Sequence, residues 1–179
     1  MIYVGIGANL HHADYGSPQN TCGAALYSLN EENIHISACS RWYESAPVPV
    51  SDQPNYINAV ISVETTIKPL ELLNLLLKHE EEFGRTHNNK NAARTLDLDL
   101  LDYHGEIIET TMALNLPHPR LHERAFVLLP LAELDPNWQH PQTGSQINDL
   151  IEKIPNDLKA IPLDPLPGEY GTAWTPALA

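Results

Sequence analysis

Two kinds of hydrophobic pattern take turns along the chain. Residues 2–8 (IYVGIGA) are apolar and β-branched and end in small residues, which predicts a buried strand running into a loop. Residues 34–44 alternate in the manner of a strand. So do residues 56–66, where Ile57, Ala59, Ile61 and Val63 interleave with Tyr56, Asn58, Ser62 and Glu64. Residues 95–103 (TLDLDLLDY) predict a further strand, with His104-Gly105 turning into a short one at 106–109. Helical spacing appears at 20–31, with Ala24, Ala25 and Leu29 inward, although Gly23 weakens that helix. Pro69 opens a second helix whose Leu72, Leu73, Leu76 and Phe83 share a face; Glu80-Glu81-Glu82 is read as mostly solvated, and Gly84 ends it. Residues 122–134 predict a helix kinked or broken at Pro130, and residues 145–154 a short one capped by Ser145.

The order β, α, β, β, α, β followed by helices predicts an α+β domain. Its arrangement would be the ferredoxin-like βαββαβ sandwich, an antiparallel sheet with helices on one face, extended by C-terminal helices and an irregular tail. Residues 1–155 form the expected domain. The proline-rich segment 156–179 is expected to wrap the surface or to be partly disordered.

Charge narrows the function. Of 179 residues, 10 are Lys or Arg and 23 Asp or Glu, a formal charge of −13. That balance argues against broad nucleic-acid binding and against anionic membrane surfaces, which both require cations. No apolar run approaches the ~20 residues that span a bilayer, and the start, Met1-Ile2-Tyr3-Val4, lacks a secretory pattern. Cys22 and Cys39 form no CxxC or zinc spacing, so reduced thiols, a cytoplasmic setting and a monomer are the expectation.

The chemistry concentrates in Arg94-Thr95-Leu96-Asp97-Leu98-Asp99-Leu100. Alternation across a strand sends Asp97 and Asp99 to one face and the leucines to the other. Paired carboxylates repel unless a cation stands between them, and they suit Mg²⁺ shared with substrate phosphates. Alone, the pair fits a solvated acidic strand face as well. The polar loop 85–94 brings Arg85, Lys90 and Arg94 close by, either as a lid over phosphates or as an ordinary exposed loop. In Pro117-His118-Pro119-Arg120-Leu121-His122-Glu123-Arg124, proline opposes an HExxH helix, so phosphate-facing His and Arg at a helix start is the better reading than zinc. Tyr56 could stack on a flat heterocycle while Asn58 offers a donor and an acceptor, unless both are simply edge-strand surface. Gly5-Ile6-Gly7-Ala8-Asn9 is no GxGxxG or P-loop; Gly7 is assigned to a tight strand exit and Asn9 to structuring the loop.

Four stretches, IGANL, DQPNYINAV, ARTLDLDLL and LPHPRLHERAFVLLPL, occur in an order that resembles the 6-hydroxymethyl-7,8-dihydropterin pyrophosphokinase family of folate biosynthesis. The resemblance spans residues 2–131 and implies the ferredoxin-like fold and transfer of diphosphate from ATP to a pterin hydroxymethyl group, with release of AMP. It implies two Mg²⁺ ions on Asp97 and Asp99. It implies pterin contacts from Ser45, Val48, Tyr56, Asn58 and Phe126, and ATP contacts from Glu80, Arg85, Arg94, Leu100, His118 and Arg124. Arg94, Lys90 and Arg85 would be the catalytic cations. The chain departs from the pattern at Asn91-Ala92-Ala93, where many members read Trp-Gly-Pro, with a lid one residue shorter in which His87 or Lys90 stands in for a second arginine. A further departure is Ala113, where an arginine often lies. A non-catalytic pterin- or nucleotide-binding homologue is the alternative. Five of the 10 cations (Arg85, Lys90, Arg94, Arg120, Arg124) lie in 85–124, so a chain hostile to polyanions overall is not so there.

Overall fold

The computed structural model describes residues 1–85, 93–109 and 114–176. Its elements in chain order are β1 (Ile2–Ala8), α1 (Pro18–Glu31), β2 (His35–Cys39), β3 (Tyr43–Ser45), β4 (Tyr56–Glu64), α2 (Pro69–Glu82), β5 (Asp97–Tyr103), β6 (Ile108–Glu109) and β7 (Asn115–Leu116). A 3₁₀ turn (Leu121–Glu123), α3 (Ala125–Leu134), α4 (Ile147–Glu152), β8 (Ala160–Pro162) and a second 3₁₀ turn (Glu169–Gly171) follow. The main sheet runs β5-β1-β4-β3-β8, with β2 also on β4, and every pairing is antiparallel. The fold is therefore α+β.

Helices cover both faces of this sheet, not one. Val4, Ile6, Ile61, Val63, Leu98 and Leu100 pack with Leu26, Leu29, Leu72 and Leu76 of α1 and α2. Tyr3, Val60 and Leu101 pack on the other side with Val127, Leu128 and Leu131 of α3 and Ile147 and Leu150 of α4. The central strands carry apolar residues at both parities, so a single helical layer would leave one set exposed.

Several local expectations shift. The stretch 34–44 is two strands, because Ser40 turns its hydroxyl onto the Val60 amide (3.0 Å) and breaks the ladder. The first helix starts earlier, at Pro18, with Ser17 accepting from the Asn20 amide. Helix α3 runs through Pro130 to Leu134, preceded by the separate 3₁₀ turn. Gln146, not Ser145, occupies the cap of α4; the Ser145 hydroxyl bonds Thr143 instead (3.0 Å).

The proline-rich segment supplies β8, and Trp42 donates from its indole to the Tyr170 carbonyl (2.7 Å). Gly23 is what lets α1 meet this segment: a Cβ there would lie 2.3 Å from the Thr172 hydroxyl.

Candidate active site

The site is built on the face of the sheet that carries α3, at the C-terminal end of β1. Gly7 pairs with Asn58 of β4 on one side and with Asp97 of β5 on the other. One residue pair along, Gly5 pairs with Val60 and Asp99. With strands about 4.8 Å apart, Asn58 and Asp97 stand about 10 Å apart across a floor that has no side chain. Gly7 is thus not at a strand exit. It lies inside β1, where a Cβ would come within 2.8 Å of the Asn58 amide oxygen.

A cavity of about 200 Å³ opens over this floor. Ser45, Val48, Tyr56, Asn58 and Phe126, all of the ring-binding candidates, line it, as do Arg94, Asp97 and Arg124. Asn58 is buried and donates to the Ser45 hydroxyl (3.0 Å), which fixes its amide toward the slot. A smaller cavity lined by Gly5, Gly7, Asp97, Asp99 and Phe126 adjoins the same floor.

The acidic pair is ringed by cations. Arg94 donates to Asp97, and Arg85 lies 3.4 Å from the same carboxylate. Arg124 donates to Asp99 (2.9 Å) and also lies over the Phe126 ring, 5.5 Å from its centroid. His118 Nε2 is 4.0 Å from Asp99, and its Nδ1 accepts from the Arg120 amide (3.2 Å). Burial and the neighbouring Asp99 raise the Asp97 pKa, with Arg94 and Arg85 opposing them. Burial lowers the His118 pKa against the pull of Asp99.

Among the described residues no group of three or more His, Cys, Asp or Glu converges in the way of an all-protein metal site. Two partly exposed carboxylates facing a cleft fit Mg²⁺ nonetheless, because that ion keeps waters and takes one or two carboxylates alongside substrate phosphates.

Arg85 and His118 reach the carboxylates without lining either cavity, and two further candidates, Glu80 and Leu100, do not face the site at all. Glu80 is fully buried, accepting from the Leu98 amide (2.6 Å) and from Arg85. It follows Leu72 and Leu76 at four-residue steps on α2, so it belongs to the core face rather than to solvent. Burial pushes its carboxyl up to about 7, opposed by the Leu98 amide. The Leu100 side chain points into the α1/α2 core on the far side of β5. Lys90, His87 and Ala113 lie outside the described residues.

Asn9 does more than order its own loop. Its Oδ1 accepts from the Arg94 amide (2.7 Å), and its Nδ2 donates to the Pro54 carbonyl (3.1 Å) and to Gln53 (3.3 Å). One buried amide thereby joins the loop before β4 to the segment that carries Arg94. The polar residue closing an otherwise apolar IGAN stretch was the signal for it.

Fold and site together define an α+β protein in which one cleft joins a slot lined by Tyr56, Asn58 and Phe126 to an arginine-flanked carboxylate pair. A family model described as 7,8-dihydro-6-hydroxymethylpterin-pyrophosphokinase (HPPK) matches residues 3–136. The chain is 38% identical over 164 residues to a 2-amino-4-hydroxy-6-hydroxymethyldihydropteridine pyrophosphokinase of Haemophilus influenzae, covering 91% of this chain and 98% of that protein. It is 38% identical over 151 residues to the protein of the same name from Synechocystis sp., covering 84% and 74%. A folate synthesis bifunctional protein of Arabidopsis thaliana is 40% identical over 134 residues, covering 74% of this chain and 26% of that protein. The chain belongs to the 7,8-dihydro-6-hydroxymethylpterin-pyrophosphokinase family.

Proposed function

We propose that this chain transfers diphosphate from ATP to the hydroxymethyl group of 6-hydroxymethyl-7,8-dihydropterin, with release of AMP, in folate biosynthesis. The observation that carries this reading is the Asn58–Gly7–Asp97 row, which sets a ring slot and an acidic pair in one cleft. Tyr56 and Phe126 flank the pterin ring, Asn58 bonds its polar edge, and Ser45 and Val48 close the slot beside the loop. The hydroxymethyl oxygen bonds to the β-phosphorus and loses its proton to solvent, the bond from that phosphorus to the α–β bridging oxygen breaks, and AMP leaves with that oxygen and its electron pair.

Such a transfer depends on positioning and charge neutralisation rather than on a protein nucleophile. Arg94, Arg85 and Arg124, which balance the carboxylates here, also serve the triphosphate, with His118 as a further hydrogen-bond donor. Asp97 and Asp99 would hold two Mg²⁺ ions, which would supply charge neutralisation for the phosphates. Glu80 acts as a positioning residue: it fixes Arg85 and the start of β5 from below. Lys90 joins the catalytic cations, and Leu100 can reach the nucleotide only through its main chain.

The strand order β5-β1-β4-β3, with β2 also on β4, supports the ferredoxin-like reading of the sheet. No helix among the described residues is long and apolar enough to cross a membrane. We read the protein as a cytoplasmic monomer. Incubation with ATP, Mg²⁺ and the reduced pterin should yield AMP and pterin diphosphate in equal amounts. Formation of ADP, or of no pterin product, would overturn the proposal.

A further inference from the structure

The cavity has a wall that comes from beyond the matched family segment. Asp157, Leu158 and Lys159 line it together with Ser45, Val48 and Phe126, although the family match ends at residue 136. Strand register explains how they arrive there. Ser45 pairs with Ala160, Glu44 with Ile161 and Tyr43 with Pro162, so the residues just before Ala160 emerge beside Ala46 and Pro47 of the slot. The segment is well anchored on its C-terminal side. Ala160 is buried against Tyr43 and Ala125, and Gln19 donates to the Gly171 carbonyl (3.0 Å). On the N-terminal side, the Leu158 amide closes a turn onto the Pro155 carbonyl (3.0 Å).

Within the run 155–159 only Leu158 is half-buried; its neighbours are exposed. It belongs to none of the three apolar clusters among the described residues, so no core residue accounts for an apolar side chain at that position. What it does face is the cavity that holds Tyr56 and Phe126. An apolar side chain on the rim of a ring slot gains most when a flat ring covers it.

We infer that Leu158 is a further substrate-contacting residue, forming an apolar wall against the pterin ring, and that the C-terminal segment thereby sets part of the specificity of the slot. The inference rests on the pterin reading of the cavity. No role of the C-terminal segment follows from the sequence motifs, because the contact depends on pairing between β8 and β3 across more than 100 residues.

The test measures binding of 6-hydroxymethyl-7,8-dihydropterin by calorimetry, with Mg²⁺ and a non-hydrolysable ATP analogue present, for the parent chain and three variants. Leu158→Ala should weaken pterin binding about fivefold, as expected for losing a half-buried leucine contact. Leu158→Asp, which sets a carboxylate against the ring, should weaken it further. Both should leave affinity for the ATP analogue alone, and the melting temperature, unchanged. Leu166→Ala makes the same chemical change elsewhere in the tail, at a leucine that does not line the cavity, and should bind as the parent does. Pterin affinity unchanged in both Leu158 variants would overturn the assignment while leaving the pterin reading intact, and so would an equal loss in Leu166→Ala. No pterin binding by the parent chain would overturn the reading beneath it as well.

Discussion

The two faces of β5 carry consecutive residues to opposite ends. Leu98 and Leu100 are sealed under α1 and α2, whereas Asp97 and Asp99, one step away in sequence, face a cleft and are held by arginines. The difference lies in what the neighbouring strand presents. On the leucine side, β1 offers Val4 and Ile6, and the helices complete a dry core. On the aspartate side it offers Gly5, under the Leu101 side chain, and Gly7, beside Asn58, so β1 adds no side chain of its own to the floor. A strand that is structural on one face can thus be chemical on the other, provided its neighbour withholds side chains there.

The largest effect expected from dividing the two faces is on turnover. Asp97→Asn should lower kcat/KM by about a thousandfold, about 4 kcal/mol of transition-state stabilisation, in steady-state assays. Its melting temperature should not fall, because the change removes the burial cost of the charge and its repulsion with Asp99. Leu98→Ala should do the reverse. It should cost about 3 kcal/mol in urea unfolding, the usual range for a buried leucine, with kcat at low temperature little changed. Comparable losses of activity in both variants would dissolve the distinction between the faces.

Gly7→Ala probes the floor itself. A methyl group 2.8 Å from the Asn58 oxygen must displace that amide, so pterin affinity should drop about tenfold, about 1.4 kcal/mol, in the same calorimetric assay. Affinity for ATP should be retained.

The smallest effect lies further along the polar face, where β5 turns from chemistry to structure. Asp102 accepts from the Trp138 indole (2.7 Å), and Trp138 packs edge-on against buried His140. Burial and nearby His122 lower the His140 pKa below its ordinary value. The unfolded chain therefore takes up this proton first as pH falls. The stability that His140 contributes is complete above about pH 6.5 and is lost progressively below it. The melting temperature should fall less between pH 7.5 and 5.5 in His140→Gln than in the parent, and an identical slope would remove His140 from this account.

Much of this was legible in the chain. The alternation of 95–103 was enough to separate aspartates from leucines, and Pro69 and Gly84 marked the ends of α2 to within two residues. What stayed hidden depended on partners distant in sequence. Glu80 looks like one of three solvated glutamates until the Leu98 amide is found above it. Gly7 looks like punctuation until Asn58 and Asp97 are set on either side of it. The second helical layer was missed because Tyr3, Val60 and Leu101 break the simple two-faced pattern, and they do so only in the context of α3 and α4.

The claim on which everything else depends is that the aspartate face of β5 holds the metal that serves the triphosphate. Counting bound Mn²⁺ by paramagnetic resonance, with a non-hydrolysable ATP analogue present, tests it most directly. Two ions per chain are predicted for the parent, with loss of tight binding in Asp97→Asn and Asp99→Asn and retention in Leu98→Ala. Equal occupancy in the parent and both aspartate variants would contradict the account.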